Sequence, residues 1–391
     1  MHWRKTAIES IPPDRFRPRF CPNRSCRCHA GNDHPFRWVR KGSFARKCDR
    51  RTIPKFKCKS CGRYFSQQSF AVTYYMKKPH LLQPIAAGLV AGSAARQVAR
   101  TNDCSHTTVV RLNNRLGRHT MLLMSLALES LEEIREPINF DHFETFQYCQ
   151  EMQLGINTPV GASSWFVYDL DPVPHRRGGK MTAARKAKLQ EQIKRWGGIP
   201  TGSYRKSAFS VVKRLLGKIP ADAGLDLISD DHPTYRPAVR DACRGRRFTH
   251  RIYANPVPKK KKASRGRQAK IRNAAMFPVD HLHGLLRHSD ASHKRETIAF
   301  GRRANAILLR CFLFVVWRNF VKDRSERKPT KTTPAMKLGL ADERWNWATV
   351  LSRRLFPGRL KVPGRWIKLY MQELLTPAVG TNQRHALLNA F

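Results

Sequence analysis

The sequence predicts a multidomain chain: a small cysteine-rich metal module, a compact helical module, a mixed α/β domain and a helical C-terminal region. Three observations predict it. Four cysteines near the N-terminus fall in two pairs with metal-ligand spacing. Apolar spacing is helical from about residue 79 to 135, then mixes alternating and helical runs between 138 and 321. The length of 391 residues, 41% of them hydrophobic, suffices for two or three cores.

Charge narrows the class of partner before any motif is considered. The chain carries 74 Lys+Arg against 28 Asp+Glu, a formal net charge of +46. The excess runs along the whole length, with Lys259 to Lys262 its densest run. A membrane surface needs only one basic amphipathic helix, so this distribution favours a nucleic acid. Neutralising on the order of ten phosphates would make such binding fall steeply with salt. The opening Met1-His-Trp-Arg-Lys has no signal-peptide apolar core. The most apolar stretch, Ile307 to Val321, is interrupted by Arg310 and Arg318 and reads as a buried core helix rather than a membrane span. Ten cysteines in a chain of this length do not form a disulfide scaffold, and a reducing cytoplasm is expected.

After a basic tail over 1–18, the first module spans 19–68. Cys21 and Cys26 make one knuckle and Cys58 and Cys61 the other, with 31 residues between the pairs. Gly62 permits the tight turn that lets thiolates converge on one tetrahedral ion, and Phe56, Tyr64 and Phe65 supply a minimal core that the metal completes. This is a zinc-ribbon pattern. Cys28 and Cys48 are spares, and Cys28 competes with Cys26 as a ligand.

The second module spans 77–120 and follows a helix-turn-helix pattern. Small Ala99 suits a helix crossing, Asp103 stands where a turn glycine is usual, and Ser105 is an N-cap. On the second helix Val109 and Leu112 face inward, leaving His106, Thr107, Arg111 and Arg115 for a major groove. A linker helix over 121–136 follows, ended by Pro137.

The α/β domain is expected over 137–322. Ile138 to Phe146 alternates like a strand, and Met152 to Thr158 with Trp165 to Leu170 reads as a hairpin. His175 to Gly198 is a basic insertion with a helical middle. Helices are expected over Tyr204 to Leu216, Pro233 to Cys243, Val279 to His288 and about Glu296 to Val321. Strands are expected over Leu225 to Asp230 and Phe248 to Ala254, with a basic loop from Asn255 to Asn273. Residues 323–391, rich in Trp, Leu and Arg, suggest a small helical appendage.

In a chain so basic, the acids at element ends stand out. Carboxylates next to phosphates repel them unless divalent cations bridge the two. In an RNase-H-like fold the first Asp lies mid-strand, the second ends a neighbouring strand, and a third acid projects from a later helix. Asp141, Asp230 and Glu296 fit those positions, although Glu144 competes with Asp141 and Asp231 with Asp230. Two Mg²⁺ ions, or Mn²⁺, held about 3.5–4 Å apart could then activate an attacking oxygen and stabilise a leaving one.

Several stretches resemble bacterial insertion-sequence transposases of the DDE kind that carry an N-terminal zinc ribbon and helix-turn-helix. They are Cys58-Lys-Ser-Cys-Gly-Arg-Tyr-Phe-Ser, Asn139-Phe-Asp-His-Phe-Glu-Thr-Phe, Ser229-Asp-Asp-His-Pro-Thr-Tyr, and Phe277-Pro-Val-Asp-His-Leu-His-Gly-Leu-Leu-Arg-His followed by His293-Lys-Arg-Glu-Thr-Ile-Ala-Phe-Gly-Arg-Arg. They occur in family order from about residue 20 to the C-terminus. The resemblance implies that Asp141, Asp230 and Glu296 are the catalytic acids and that Arg303, seven residues past Glu296, touches the DNA end. It implies double-stranded DNA as substrate, at least a dimer on that DNA, no membrane, and a bacterial cytoplasmic, nucleoid-associated location. The rival expectation is a non-catalytic DNA-binding regulator derived from a transposase. His281, His283, His288 and His293 scatter over several helical faces and are read as satisfied or phosphate-facing, not as a second metal site.

Overall fold

The computed structural model describes residues 1, 3, 5–30, 35–196, 201–255, 266–294, 297–327, 329–374 and 376. Among them it is a mixed α/β protein with thirteen α-helices. The N-terminal module holds α1 (Arg27–Ala30) and an antiparallel sheet of β1 (Trp38–Ala45), β2 (Thr52–Cys58) and β3 (Tyr64–Ser66), in that order. Its core is aromatic: Phe16, Phe56, Phe65, Phe70 and Phe356 pack around the cysteines. The segment before it is not a free tail. Trp3 is buried, stacks on Trp345 at 5.7 Å and donates from Nε1 to Thr349 O at 2.8 Å.

Three helices follow: α2 (Leu82–Val90), α3 (Ala95–Thr101) and α4 (His106–Ser130). The expected break between a recognition helix and a linker helix is absent, because α4 continues for 25 residues. Its second half, Met121 to Met124 and Ala127, is buried in the main core, so tertiary burial carries the helix through the Gly117–Thr120 stretch.

Ten further elements open the α/β region: β4 (Ile138–Phe140), β5 (His142–Phe146), β6 (Met152–Asn157), β7 (Val160–Gly161), β8 (Asp171–Arg176), α5 (Ala183–Trp196), α6 (Ser203–Leu216), β9 (Leu225–Ser229), α7 (Tyr235–Ala242) and β10 (Phe248–Ile252). β4 and β5 are one strand interrupted at Asp141, and β6 and β7 are its antiparallel partner. Asn139 lies opposite Val160, His142 opposite Asn157, and between them Thr158 N donates to Asp141 O at 2.9 Å. On one side β8 pairs antiparallel with β6; on the other β9 runs parallel to β4, and β10 parallel to β9. The spatial order is therefore β8, β6–β7, β4–β5, β9, β10.

The third strand differs from expectation. Residues 165–170 make only an isolated bridge, Val160 with Val167, and β8 lies further along as Asp171-Pro-Val-Pro-His-Arg. Two prolines disguise it, yet an edge strand tolerates residues that cannot donate to a ladder. α6 buries Ala208, Val211, Val212, Leu215 and Leu216, the expected apolar face.

The chain continues through α8 (Arg267–Ala275), α9 (Phe277–Ser289) and α10 (Ala304–Val316), which runs into a π-helical turn at Trp317–Val321. α10 begins well after the expected start near Glu296: Thr297 to Arg303 are non-helical, and Arg303 is the N-cap position. Then come α11 (Pro334–Lys337), α12 (Trp347–Val350) and α13 (Gly364–Tyr370). These are not an appendage. Trp345, Trp366, Leu369 and Tyr370 belong to the main core, and Trp366 Nε1 donates to Asp169 Oδ1 at 3.0 Å. Ala304–Val321 is long and apolar enough to cross a membrane, but 83% of it is buried inside the protein, as expected of a core helix.

Candidate functional site

The four cysteines converge. Gly62, at φ +72, turns the second knuckle, where Gly62 N donates to Cys58 O at 3.0 Å and Cys58 N to Arg63 O at 3.0 Å. In the first knuckle Cys26 N donates to Asn23 O at 3.0 Å. The ligand atoms of Cys21, Cys26, Cys58 and Cys61 all lie within 4.8 Å of one another. A tetrahedron with Zn–S bonds of about 2.3 Å has S–S edges of about 3.8 Å. Cys21 Sγ to Cys61 Sγ measures 3.7 Å and Cys26 Sγ to Cys58 Sγ 3.8 Å. The set fits zinc, with no ligand position left open. Cys28 is excluded as a competitor: its Sγ lies 3.1 Å from Ser60 Oγ, outside the cluster. Cys48 is exposed beyond β1.

In the helical module Asp103 adopts φ +43, so the turn takes the left-handed backbone that a glycine usually supplies. Ser105 Oγ accepts from Thr108 N at 3.2 Å, which caps α4. Val109 and Leu112 are buried; His106, Thr107 and Arg111 are exposed. An open groove lined by Lys78, Arg96, Arg100 and His106 adjoins that face. Arg115 does not share it. Its Nη1 donates inward to Val72 O at 2.8 Å and Tyr74 O at 2.5 Å, because Arg115 is one turn further along and already under the preceding segment. Arg303 is half-buried at the N-cap position of α10, and Thr297 to Arg302 before it are non-helical, so it does not lie within a helix.

The carboxylates meet at the edge where β4–β5 and β9 run side by side. Asp141 sits at the strand interruption, and its Oδ1 accepts from His142 N at 2.7 Å. Asp230 directly follows β9; its Oδ1 accepts from His232 N at 3.1 Å and its Oδ2 from Asn255 Nδ2 at 3.2 Å. Parallel pairing of Phe140 with Ser229 brings the two acids to the same end. Glu296 lies outside the described residues. Asp231 is exposed, and Glu144 is held by Tyr204 Oη at 2.5 Å and His175 Nε2 at 3.2 Å.

The structure adds an acid that sequence reasoning passed over. Asp280, in the first turn of α9, acts on Asp141 electrostatically together with Asp230. Burial first, then repulsion from Asp230 and Asp280, pushes the Asp141 carboxyl up to about 8. His283 lies with its Nδ1 3.7 Å from Asp141 Oδ2 and its Nε2 2.7 Å from Thr158 Oγ1. Burial, with Arg287 and Arg272 nearby, lowers His283 to about 3, so it is neutral and brings Asp141 no compensating charge. Arg272 pairs with Asp280. The signal in the sequence was the polar row Asp280, His283, Arg287 at i, i+3, i+7, one face of α9 turned toward the sheet. Arg287 completes it, donating to Glu144 O at 3.1 Å.

Among the described residues the cysteine set is the only group of three or more His, Cys, Asp or Glu with ligand atoms mutually within 4.8 Å, so the three Asp carboxylates are neighbours but not closed to coordination distance. As oxygen donors they suit a hard dication rather than zinc. No protein-family model matches the sequence, and comparison with curated proteins finds no match.

Proposed function

We propose that the chain is a DNA transposase of the DDE kind, binding element ends through its zinc ribbon and helix-turn-helix and cutting and joining DNA at the carboxylate edge. One observation carries the reading: Asp141 lies mid-strand and Asp230 ends the adjacent parallel strand in a sheet ordered β8, β6–β7, β4–β5, β9, β10. That order, two antiparallel additions on one side of a central strand and two parallel additions on the other, supports an RNase-H-like domain. A raised Asp141 beside two further carboxylates supports a site whose charge awaits Mg²⁺ or Mn²⁺.

Asp141 and Asp230 would hold the ions, with Asp280 or Glu296 as third acid. When bound, the dications supply Lewis-acid activation of the attacking oxygen and stabilisation of the leaving one. Asn255 and the His232 backbone N–H orient the Asp230 carboxylate, and the His142 N–H orients Asp141. The net charge of +46 and the exposed His106, Thr107 and Arg111 support binding to double-stranded DNA. Nicking and joining at two ends call for at least a dimer.

A second reading, a non-catalytic DNA-binding regulator, has two observations in its favour: Arg272 engages Asp280, and the neighbouring carboxylates are not closed to coordination distance. Purified protein incubated with Mg²⁺ and labelled element ends separates the two. Asp141→Asn and Asp230→Asn should each abolish cleavage and leave end binding intact. Comparing Asp280→Asn with Glu296→Gln assigns the third acid, since only the true one is lost. Wild-type protein that binds ends but never cuts them would establish the regulator, and full activity in Asp141→Asn or Asp230→Asn would remove the carboxylate mechanism.

A further inference from the structure

One histidine faces the carboxylate edge with its lone pair rather than its proton. His283 sits on α9, three residues after Asp280, and so on the same face of the helix. Asn139 Nδ2 donates to Ala275 O at 2.7 Å and pins the start of that helix on β4. The His283 ring packs against Phe143, with 5.3 Å between centroids. Its Nε2 lies 2.7 Å from Thr158 Oγ1 and its Nδ1 3.7 Å from Asp141 Oδ2. The other histidines of this region face elsewhere: His281 stacks on Phe277, His293 bonds Thr145 Oγ1 at 3.0 Å, and His288 is exposed.

The hydrogen bonds fix the tautomer. Thr158 Oγ1 donates to Asp141 O at 3.2 Å, which uses its one proton. Toward His283 the hydroxyl can then only accept, so Nε2 carries the ring proton and Nδ1 the bare lone pair. The opposite tautomer would aim an N–H at Asp141 Oδ2 across 3.7 Å, too far for a hydrogen bond, and would leave that donor unmet. On the carboxylate, Oδ1 already accepts from His142 N at 2.7 Å and from Tyr235 Oη at 3.4 Å. Among the described residues no hydrogen bond reaches Oδ2.

A nitrogen lone pair and a carboxylate oxygen thus face each other with no hydrogen bond between them. Two ligands each about 2.1 Å from one ion stand about 3.0 Å apart at a right angle and about 3.7 Å apart at roughly 125°. The observed 3.7 Å therefore lets one ion sit between Nδ1 and Oδ2 without moving either group. Access stays open, since the two side chains keep 14% and 19% of their surface exposed.

We propose that His283 is a ligand, through Nδ1, of the dication that Asp141 holds, and that this nitrogen makes the site take Mn²⁺ in preference to Mg²⁺. The inference rests on the carboxylate edge being a dication site. Imidazole nitrogen is a donor that first-row transition ions accept, whereas Mg²⁺ keeps to oxygen and sheds its water reluctantly. Thr158 is then the outer partner that orients a metal-bound histidine.

Mn²⁺ titrated into the full-length, zinc-loaded protein tests this by electron paramagnetic resonance, with electron spin echo envelope modulation reading any nitrogen bonded to manganese. The expected result is saturable Mn²⁺ binding that Asp141→Asn abolishes and that carries a nitrogen coupling. His283→Asn should remove the coupling and weaken Mn²⁺ about tenfold, with Mg²⁺, measured by competition, weakened far less. Wild-type protein whose bound Mn²⁺ shows no nitrogen coupling overturns the proposal, even if the variant fails to fold. So does a coupling that survives in His283→Asn, since another histidine then supplies it. Both of those outcomes leave the carboxylate site standing. Wild-type protein that binds no Mn²⁺ at Asp141 removes the site itself, and the proposal with it.

Discussion

Gly117→Ala puts the main helix crossing under test. Gly117 is buried midway along α4, facing α10. A Cβ built there would lie 2.4 Å from Leu309 Cβ and 2.5 Å from Leu309 O, where real Cβ contacts essentially never fall below 3.0 Å. The shortfall is 0.6 Å (3.0 − 2.4) against one atom and 0.5 Å (3.0 − 2.5) against the other. The second atom is backbone, so no rotamer change relieves it, and α10 is buried along almost its whole length. The helices must separate. Overpacking of this kind costs about 1–3 kcal/mol, here at the upper end. Against it stands the helix-propensity gain of Ala over Gly, about 1 kcal/mol. The net expectation is destabilisation by about 2 kcal/mol, read from urea denaturation midpoints of the zinc-loaded protein. Gly284 is the internal control: it lies in α9 with nothing within 4 Å of its built Cβ, so Gly284→Ala should stabilise by roughly 0.5–1 kcal/mol. If both variants shift the same way, the close crossing of α4 and α10 is refuted.

Two further predictions concern the metal and pH. The ribbon should hold one zinc per chain: Cys58→Ser should lose it and Cys28→Ser should keep it, as measured with a chromogenic chelator after denaturation, since Cys28 faces Ser60 and not the cluster. His119 should make the fold acid-sensitive. In the unfolded chain it titrates at 6.5, but in the fold it is lowered to about 4, with Nε2 2.9 Å from Val350 O. Its contribution is therefore complete above pH 6.5 and is lost as the pH falls toward 4, because the unfolded state binds the proton first. A shift of 2.5 (6.5 − 4) corresponds to roughly 3 kcal/mol at most. Denaturation midpoints at pH 7 and 5 should differ less in His119→Gln than in wild type; an unchanged difference would show that His119 is not the group being titrated.

What could be read in advance followed the range of the interaction. The four-cysteine cluster was legible because each knuckle is closed by contacts a few residues apart, so spacing alone encodes the geometry. Ser105 as a cap and the apolar face of α6 are local in the same way. Long-range packing was invisible. α4 looked like two helices because nothing near Gly117 says that Leu309, far along the chain, will cover it. The edge strand β8 was hidden by Pro172 and Pro174, which only its neighbour β6 makes acceptable. The basic N-terminal residues looked like a tail, although Trp3 had a tryptophan partner more than three hundred residues away. At the carboxylate edge, Asp141 and Asp230 could be chosen because strand ends can be read from apolar runs. Asp280 was overlooked because its meaning comes from the docking of α9 against the sheet, which no local pattern reports.

The continuity of α4 changes how the proposed DNA contacts relate to the proposed chemistry. One continuous helix of 25 residues, about 37 Å at 1.5 Å per residue, carries the exposed His106, Thr107 and Arg111 at its start and the core residues Met121 to Met124 toward its end. A flexible linker between recognition and cleavage would let an element end explore many positions before reaching the acids. A continuous helix crossing α10 at van der Waals distance would, if the proposed DNA contacts hold, fix where a duplex leaves the exposed start of α4, and conformational freedom at Gly117 would defeat that purpose. The glycine there serves close approach rather than flexibility. Under the proposed reading, the same crossing that stabilises the fold also sets the register between bound DNA and the Asp141–Asp230 edge.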